Sequence, residues 1–396
     1  MKQLIVISFI LFSCALNFSC SAEKKAPVII KSDENESKVI DLALAIQSSI
    51  EEGNAQDYLN LWDIGNFNNK VRKNMNSFGF NKYVESFISG LGQGLESFPN
   101  KIIHQYNEGA YYDFIKVRYD DDEQTYYMLF RFFSELEGIN YHDYSVSVED
   151  GEVKFNDMYV YLTGEHFANT IARFGLFAFP KRNLFSSEST LDDKIKEFEH
   201  IQKSVEYQQS GQFEKAYKEI SKVKSDLSKN KALLLVKLQY AVNYDLEIYK
   251  SSIEEIMSLF PNDETLNILY IDYYSLLEDY DKAIEYIDEL EQLTEDDFVR
   301  ILKAHTYYNK GEQAKALEHY DYIIDNYGFF GAYSGKIAVL TEQEKYETAV
   351  ELLQQLIDSG DYVKQDLIVF IEEVDENGEN ILLPLVESEV YKAWKE

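Results

Sequence analysis

The chain has 396 residues and a formal net charge of −32, with 38 basic against 70 acidic side chains. A field of that sign repels phosphate backbones and anionic lipid surfaces, which argues against nucleic acid as a partner. Both cysteines, Cys14 and Cys20, lie near the start, so the body of the chain can hold no disulfide framework and no thiolate metal site.

The first residues have the layout of an export signal. Lys2 is followed by a mainly apolar run from Leu4 to Phe12, too short to span a bilayer as a helix. Small and polar residues lead to Cys20, and Ser21, Ala22, Glu23, Lys24 and Lys25 come next. This resembles a bacterial lipoprotein signal, a family in which a cysteine becomes the first mature residue and carries the lipid. The resemblance implies a signal over residues 1–20 with lipidation at Cys20. Asn17 stands where that family prefers Leu, and Cys14, with Leu11 and Ser13 before it, is the rival site. Residues 21–36 are rich in Lys, Glu, Ser and Asp and read as a flexible tether.

A first domain is expected over 37–182. Val39, Leu42, Ala43, Ile46 and Ile50 form one stripe of an amphipathic helix that Gly53 can end. Further helical stretches carry Tyr58, Leu61 and Trp62, then residues 81–98. Strand patterns follow at Phe114–Tyr119, Tyr126–Phe133, Tyr144–Val148 and Val153–Leu162, with an acidic turn at Asp120–Glu123 and a hairpin signal at Asp150-Gly151. Strands without intervening helices predict an antiparallel meander, covered on one face by the helices in an α+β domain. Gly164–Phe179 reads as a helix ending before Pro180. The order of elements resembles the NTF2-like or cystatin-like folds.

Beyond a polar stretch at Ser186–Thr190 the pattern is helical and repeats every 33 to 34 residues. Tyr207, Tyr240, Tyr274, Tyr307 and Leu340 form one column. Phe213, Leu246, Tyr280, Gln313 and Tyr346 form a second, and Ala216, Tyr249, Ala283, Ala316 and Ala349 a third. Such a period marks stacked helical hairpins. Gly211, Phe213 and Ala216 are similar to the G-x-Y/F-x-x-A core of the tetratricopeptide repeat, and the later columns match again. The resemblance implies an all-α solenoid of five hairpins over 190–362 with capping helices over 363–396. Tyr249 departs from the small-residue column, so the second hairpin is expected to shift. The whole resembles the tetratricopeptide-repeat lipoproteins of Gram-negative bacteria of the Bacteroidota type.

Chemistry is sparse. None of the six histidines has a close metal-ligand partner in sequence, and no catalytic, cofactor-binding or metal motif stands out. Gly90, Gly92 and Gly94 end a helical pattern, the wrong context for a phosphate loop. Asp375, Asn377 and Gly378 echo part of a calcium loop that Pro384 interrupts. In the repeat family ligands lie against the first helices of successive hairpins. By register those positions are Thr265, Ile268, Asp272 and Ser275, then Phe298, Ile301, His305 and Tyr308. The expected function is non-enzymatic binding or scaffolding of a protein or peptide partner, with Asp272, Phe298, His305 and Tyr308 as its contacts. The expected location is the cell envelope, as an outer-membrane lipoprotein touching the membrane through its lipid alone. The alternative is a small-ligand-binding or enzymatic first domain with the solenoid as a recruiting arm.

Overall fold

The computed structural model of the protein describes residues 29–77, 84–134, 138–149, 151–177, 189–261, 263–360, 362–374 and 378–396. The signal with Cys14 and Cys20, Asp150, Pro180, Ser186 and the Asp375–Asn377 stretch lie outside them.

The folded region begins before the expected boundary. Ile29 is buried; its N–H donates to the Gln124 carbonyl at 3.2 Å, and its carbonyl accepts from the Tyr119 hydroxyl at 3.0 Å. Ser32 caps α1 (Asp33–Glu51), and Asp33, Glu34 and Glu36 sit in its first turn, where the helix dipole favours negative charge. The acidity that reads as tether is therefore a helix start. Val39, Leu42, Ala43, Ile46 and Ile50 are buried along α1, as the stripe predicts.

Four short helices follow: α2 (Ala55–Asn60), α3 (Ile64–Ser77), α4 (Val84–Glu96) and α5 (Phe98–Asn107). The sequence reading missed α3 and α5. In α3 Phe67, Val71 and Met75 are fully buried, four residues apart, among asparagines that weaken the helical pattern. α4 runs through Gly90, Gly92 and Gly94, so no phosphate loop exists there.

The strands β1 (Tyr111–Asp120), β2 (Thr125–Ser134), β3 (Gly138–Glu149), β4 (Glu152–Val160) and β5 (Glu165–His166) form one antiparallel sheet in sequence order, followed by α6 (Phe167–Phe177). The helices cover one face, where Tyr112, Met128, Phe130, Phe132, Tyr144 and Phe155 share a core with Val39, Ile46, Tyr58, Trp62 and Ala172. Along β2 the side chains alternate: Met128, Phe130 and Phe132 face these helices, while Leu129 and Phe133 face the other way. Because that other face is also covered, β2 is buried along most of its length and reads as an apolar run interrupted by Arg131.

From Ser189 the described chain is helical. Its helices are α7 (Ser189–Gln209), α8 (Phe213–Ile220), α9 (Lys231–Val242), α10 (Leu246–Leu259), α11 (Asn267–Leu276), α12 (Tyr280–Thr294), α13 (Arg300–Asn309), α14 (Gln313–Tyr327), α15 (Phe330–Glu342) and α16 (Tyr346–Asp358), then α17 (Lys364–Glu372), α18 (Leu383–Glu387) and α19 (Glu389–Lys395). Successive helices pack in pairs, α7 with α8 through α15 with α16. Four pairs share one turn. The N–H groups of Gln212, Asp279, Glu312 and Lys345 each donate at 2.9 Å to the carbonyls of Tyr207, Tyr274, Tyr307 and Leu340. Gly211, Glu278, Gly311 and Glu344 hold the left-handed conformation this helix-ending loop requires. The α9–α10 pair differs, with Asp245 N–H donating to the Ala241 carbonyl instead. Ala216, Ala283, Ala316 and Ala349 are fully buried between paired helices, and Tyr249 takes that place in α10.

The two regions share a core. Leu129, Phe133, Ile139, Tyr141 and Tyr161 of the sheet region cluster with Ile271, Leu290, Phe298, Val299, Ile301 and Phe329.

Candidate functional site

The sheet's second face rests on the segments that lead into α11, α13 and α15. At its centre Arg131, 3% exposed, projects from β2. It donates to Asp296 at 2.7 Å and to Asp113 at 2.5 Å, and its guanidinium lies 4.0 Å from the centroid of the Phe298 ring. Tyr141 donates to the other Asp296 oxygen at 2.7 Å. Burial raises the Asp296 pKa and Arg131 opposes the rise. Burial likewise works against the Arg131 charge, but Asp296 and Asp113 outweigh it. Around this centre Lys116 donates to the Leu293 carbonyl at 2.9 Å, and the Tyr159 and Thr265 hydroxyls share a bond of 3.0 Å.

This docking divides the eight register positions. Thr265 is engaged with Tyr159, Ile268 packs into the shared core, and Phe298 and Ile301 are buried. Phe298 therefore cannot anchor an outside partner, which corrects the sequence expectation. It lies in the turn Asp297–Val299 before α13, and its ring meets Phe133 at 5.1 Å and Phe329 at 5.4 Å. The sheet covers the N-terminal ends of α11 and α13.

The C-terminal halves are free of the sheet. Asp272 on α11 and His305 on α13, 33 residues apart, are both exposed. Asp272 accepts from the Tyr249 hydroxyl. The His305 ring lies tilted against Tyr320, with centroids 5.7 Å apart, and the protein around it displaces water and lowers its pKa. Tyr320 fits because residue 335 is glycine; a Cβ there would lie 2.3 Å from the tyrosine ring. Tyr308 is half-buried and donates to Glu342 of α15; burial first, then that carboxylate, pushes its hydroxyl pKa up to about 12. Ser275 is satisfied by the Ile271 carbonyl at 2.7 Å. Gln313, which replaces the aromatic of its column, donates to Glu342 at 2.6 Å and accepts from Gln343 at 2.8 Å.

The first domain holds one polar assembly inside its aromatic core. The hydroxyls of Tyr58 and Tyr144 share a bond of 2.9 Å, Tyr144 and Tyr112 one of 2.5 Å, and Tyr112 lies 3.1 Å from His142 Nδ1. Burial lowers the His142 pKa to about 4. Asp143 points to the opposite face and pairs with Arg118 at 2.6 Å, as strand alternation demands. All four members of the assembly are buried. The acidic stretch Asp120–Glu123 is a turn in which Asp120 accepts from the N–H groups of Asp122 and Glu123. Among the described residues no cluster of three or more His, Cys, Asp or Glu side chains is arranged to hold a metal ion.

No family model, no curated protein and no solved structure matches this chain. The residues of the docking centre, Arg131, Tyr141 and Asp296, escaped the sequence reading. The available signal was a lone arginine inside the aromatic run Tyr126–Phe133.

Proposed function

We propose that the protein is a lipid-anchored cell-envelope protein that holds a protein or peptide partner and performs no chemistry of its own. In this reading the helical pairs are a tetratricopeptide-like solenoid, and the first domain is an NTF2-like or cystatin-like module fixed to one rim of it. The observation that carries the proposal is the exposed pair Asp272 and His305, register-equivalent on successive first helices and left uncovered by the sheet. Repeated first-helix positions of this kind form the extended binding faces of helical arrays. The rival reading needs a polar-lined cavity between the sheet and its helices. Tyr58, Tyr112, Phe130, Tyr144 and Phe155 fill that space with buried rings, which favours the binding role. Among the described residues no helix is long and apolar enough to cross a membrane, so in this reading the attachment is left to the Cys20 lipid.

The test places a photo-crosslinking residue at position 305 of the full chain in its own envelope. A crosslinked partner, lost when Tyr308→Ala is added with helicity intact, is the expected result. An adduct unaffected by Tyr308→Ala, or none at 305 or 272, rejects the groove as the site. Cys20→Ser is expected to abolish lipid labelling and membrane attachment. Labelling that survives it and disappears only with Cys14→Ser moves the anchor to Cys14.

A further inference from the structure

We infer that the segment held in this groove is an extended peptide carrying two basic side chains; the inference rests on the groove reading above. Asp272 and Glu342 stand exposed on either side of His305, on α11 and α15. Their carboxylates accept from neutral donors, Asp272 from Tyr249 and Glu342 from Tyr308 and Gln313. Neither has a cation within ion-pair distance among the described residues.

Lys345, three residues beyond Glu342, makes no ion pair with it, Lys282 lies over the Tyr274 ring, and other nearby cations are committed elsewhere. Arg300 and Lys303 bind Glu291, Lys303 also binds Asp288 at 2.6 Å, Lys310 binds Asp281 at 2.6 Å, and Lys336 binds Asp321 at 2.5 Å. His305, between the two carboxylates, does not supply the missing charge, because its lowered pKa keeps the ring neutral near pH 7. The uncovered stretch therefore presents two negative charges, a neutral imidazole and a tyrosine ring. Cationic side chains suit the carboxylates by ion pairing and Tyr308 by stacking on its ring.

Spacing sets the length. A spacing of about 10 Å between α11, α13 and α15 would place the carboxylates roughly 20 Å apart. An extended chain rises about 3.3 Å per residue and covers that in about six residues. The occupant fits as two Arg or Lys residues about six positions apart, in a segment without helix.

The probe is a fluorescent Gly/Ser peptide with two Arg residues six apart, measured by anisotropy against the full chain in detergent. It is expected to bind at least tenfold tighter than its Arg→Gln counterpart and to weaken as salt rises. Asp272→Asn with Glu342→Gln should erase the tenfold difference. Glu285→Gln with Glu289→Gln, which removes two exposed charges on α12, should leave it intact. Equal binding by both peptides, or equal losses in both double variants, overturns the inference. If crosslinking at 305 captures a partner through a segment without basic residues, the groove reading stands and this inference fails. If neither crosslink nor peptide binding occurs, both fail.

Discussion

The sheet region and the helical region handle charge in different ways. The first buries charged groups outright: Asp63, Arg131, Asp143, Asp157 and Glu165 are all nearly inaccessible. Each is tied to a polar partner, as when Ser147 donates to Asp63 at 2.7 Å or the Asp157 carboxylate accepts from Ala168 N–H at 3.1 Å. The helical region leaves most carboxylates near the surface and, where cations run short, uses tyrosine hydroxyls instead. Tyr249 with Asp272, Tyr273 with Glu254, Tyr308 with Glu342, and Tyr322 and Tyr327 with Asp297 follow this pattern. A chain with 70 acidic residues, 38 basic ones and 31 tyrosines has the composition for it. The difference teaches that the sheet is enclosed on both faces, while the helices keep a face that water can reach.

The largest expected effect breaks the joint between the regions. Arg131→Met leaves Asp296 buried without its cation, which costs about 3–5 kcal/mol. Denaturant unfolding should register that loss, and Arg131→Met with Asp296→Leu should recover most of it. A loss under 1 kcal/mol for the single change would mean that the sheet is not locked to the helices.

The next effect belongs to the sheet region alone and depends on pH. His142 has its pKa lowered to about 4, so below its ordinary value near 6.5 the unfolded chain takes up a proton that the folded chain refuses. Stability is therefore lost as pH falls from about 6.5 to 4, by up to about 3 kcal/mol. His142→Gln should flatten the stability profile across that window. An unchanged slope would show that the ring is protonated in the fold.

In the helical region the effects are smaller and local. Ala283→Leu or Ala316→Leu overpacks a fully buried contact between paired helices and should cost about 1–3 kcal/mol. A melting temperature unchanged in both would mean that the paired helices do not cross there. Glu344 holds a positive φ of 57° in the turn where the preceding pair has Gly311. Glu344→Gly should therefore stabilise the chain by about 1 kcal/mol, and a destabilised variant would contradict the shared-turn geometry.

How much of this could be read from the sequence follows the range of the interactions. The helix-closing bonds of Gln212, Asp279, Glu312 and Lys345 join residues five apart, so the turns between α-helices leave a local, periodic trace. The stripe on α1 and the strand alternation are equally local. The start of α1 was misread because Asp33, Glu34 and Glu36 serve a helix N-terminus as well as a tether. α3 was hidden by its asparagines. The fate of Phe298 was out of reach for a different reason: the residues that cover it, Phe133 and Arg131, stand more than 160 positions earlier. Register could say which side of a hairpin Phe298 occupies, but not that a sheet lies against it. The same holds for His142, whose partner Tyr112 and next neighbour Tyr144 meet through strand pairing and whose far relay member Tyr58 comes from α2.

The central claim, that a partner lies along the stretch the sheet leaves open, is tested most directly by cysteine labelling, since no native cysteine follows Cys20. Single cysteines replace Asp272, His305, Phe298 and Glu285, and each variant is labelled with a water-soluble maleimide, both purified and in the intact envelope. The account predicts fast labelling at 272 and 305 in the purified chain and strong protection of both in the envelope. Position 298 should be slow and position 285 fast under both conditions. Labelling at 272 and 305 that is as fast in the envelope as in the purified chain would contradict the account.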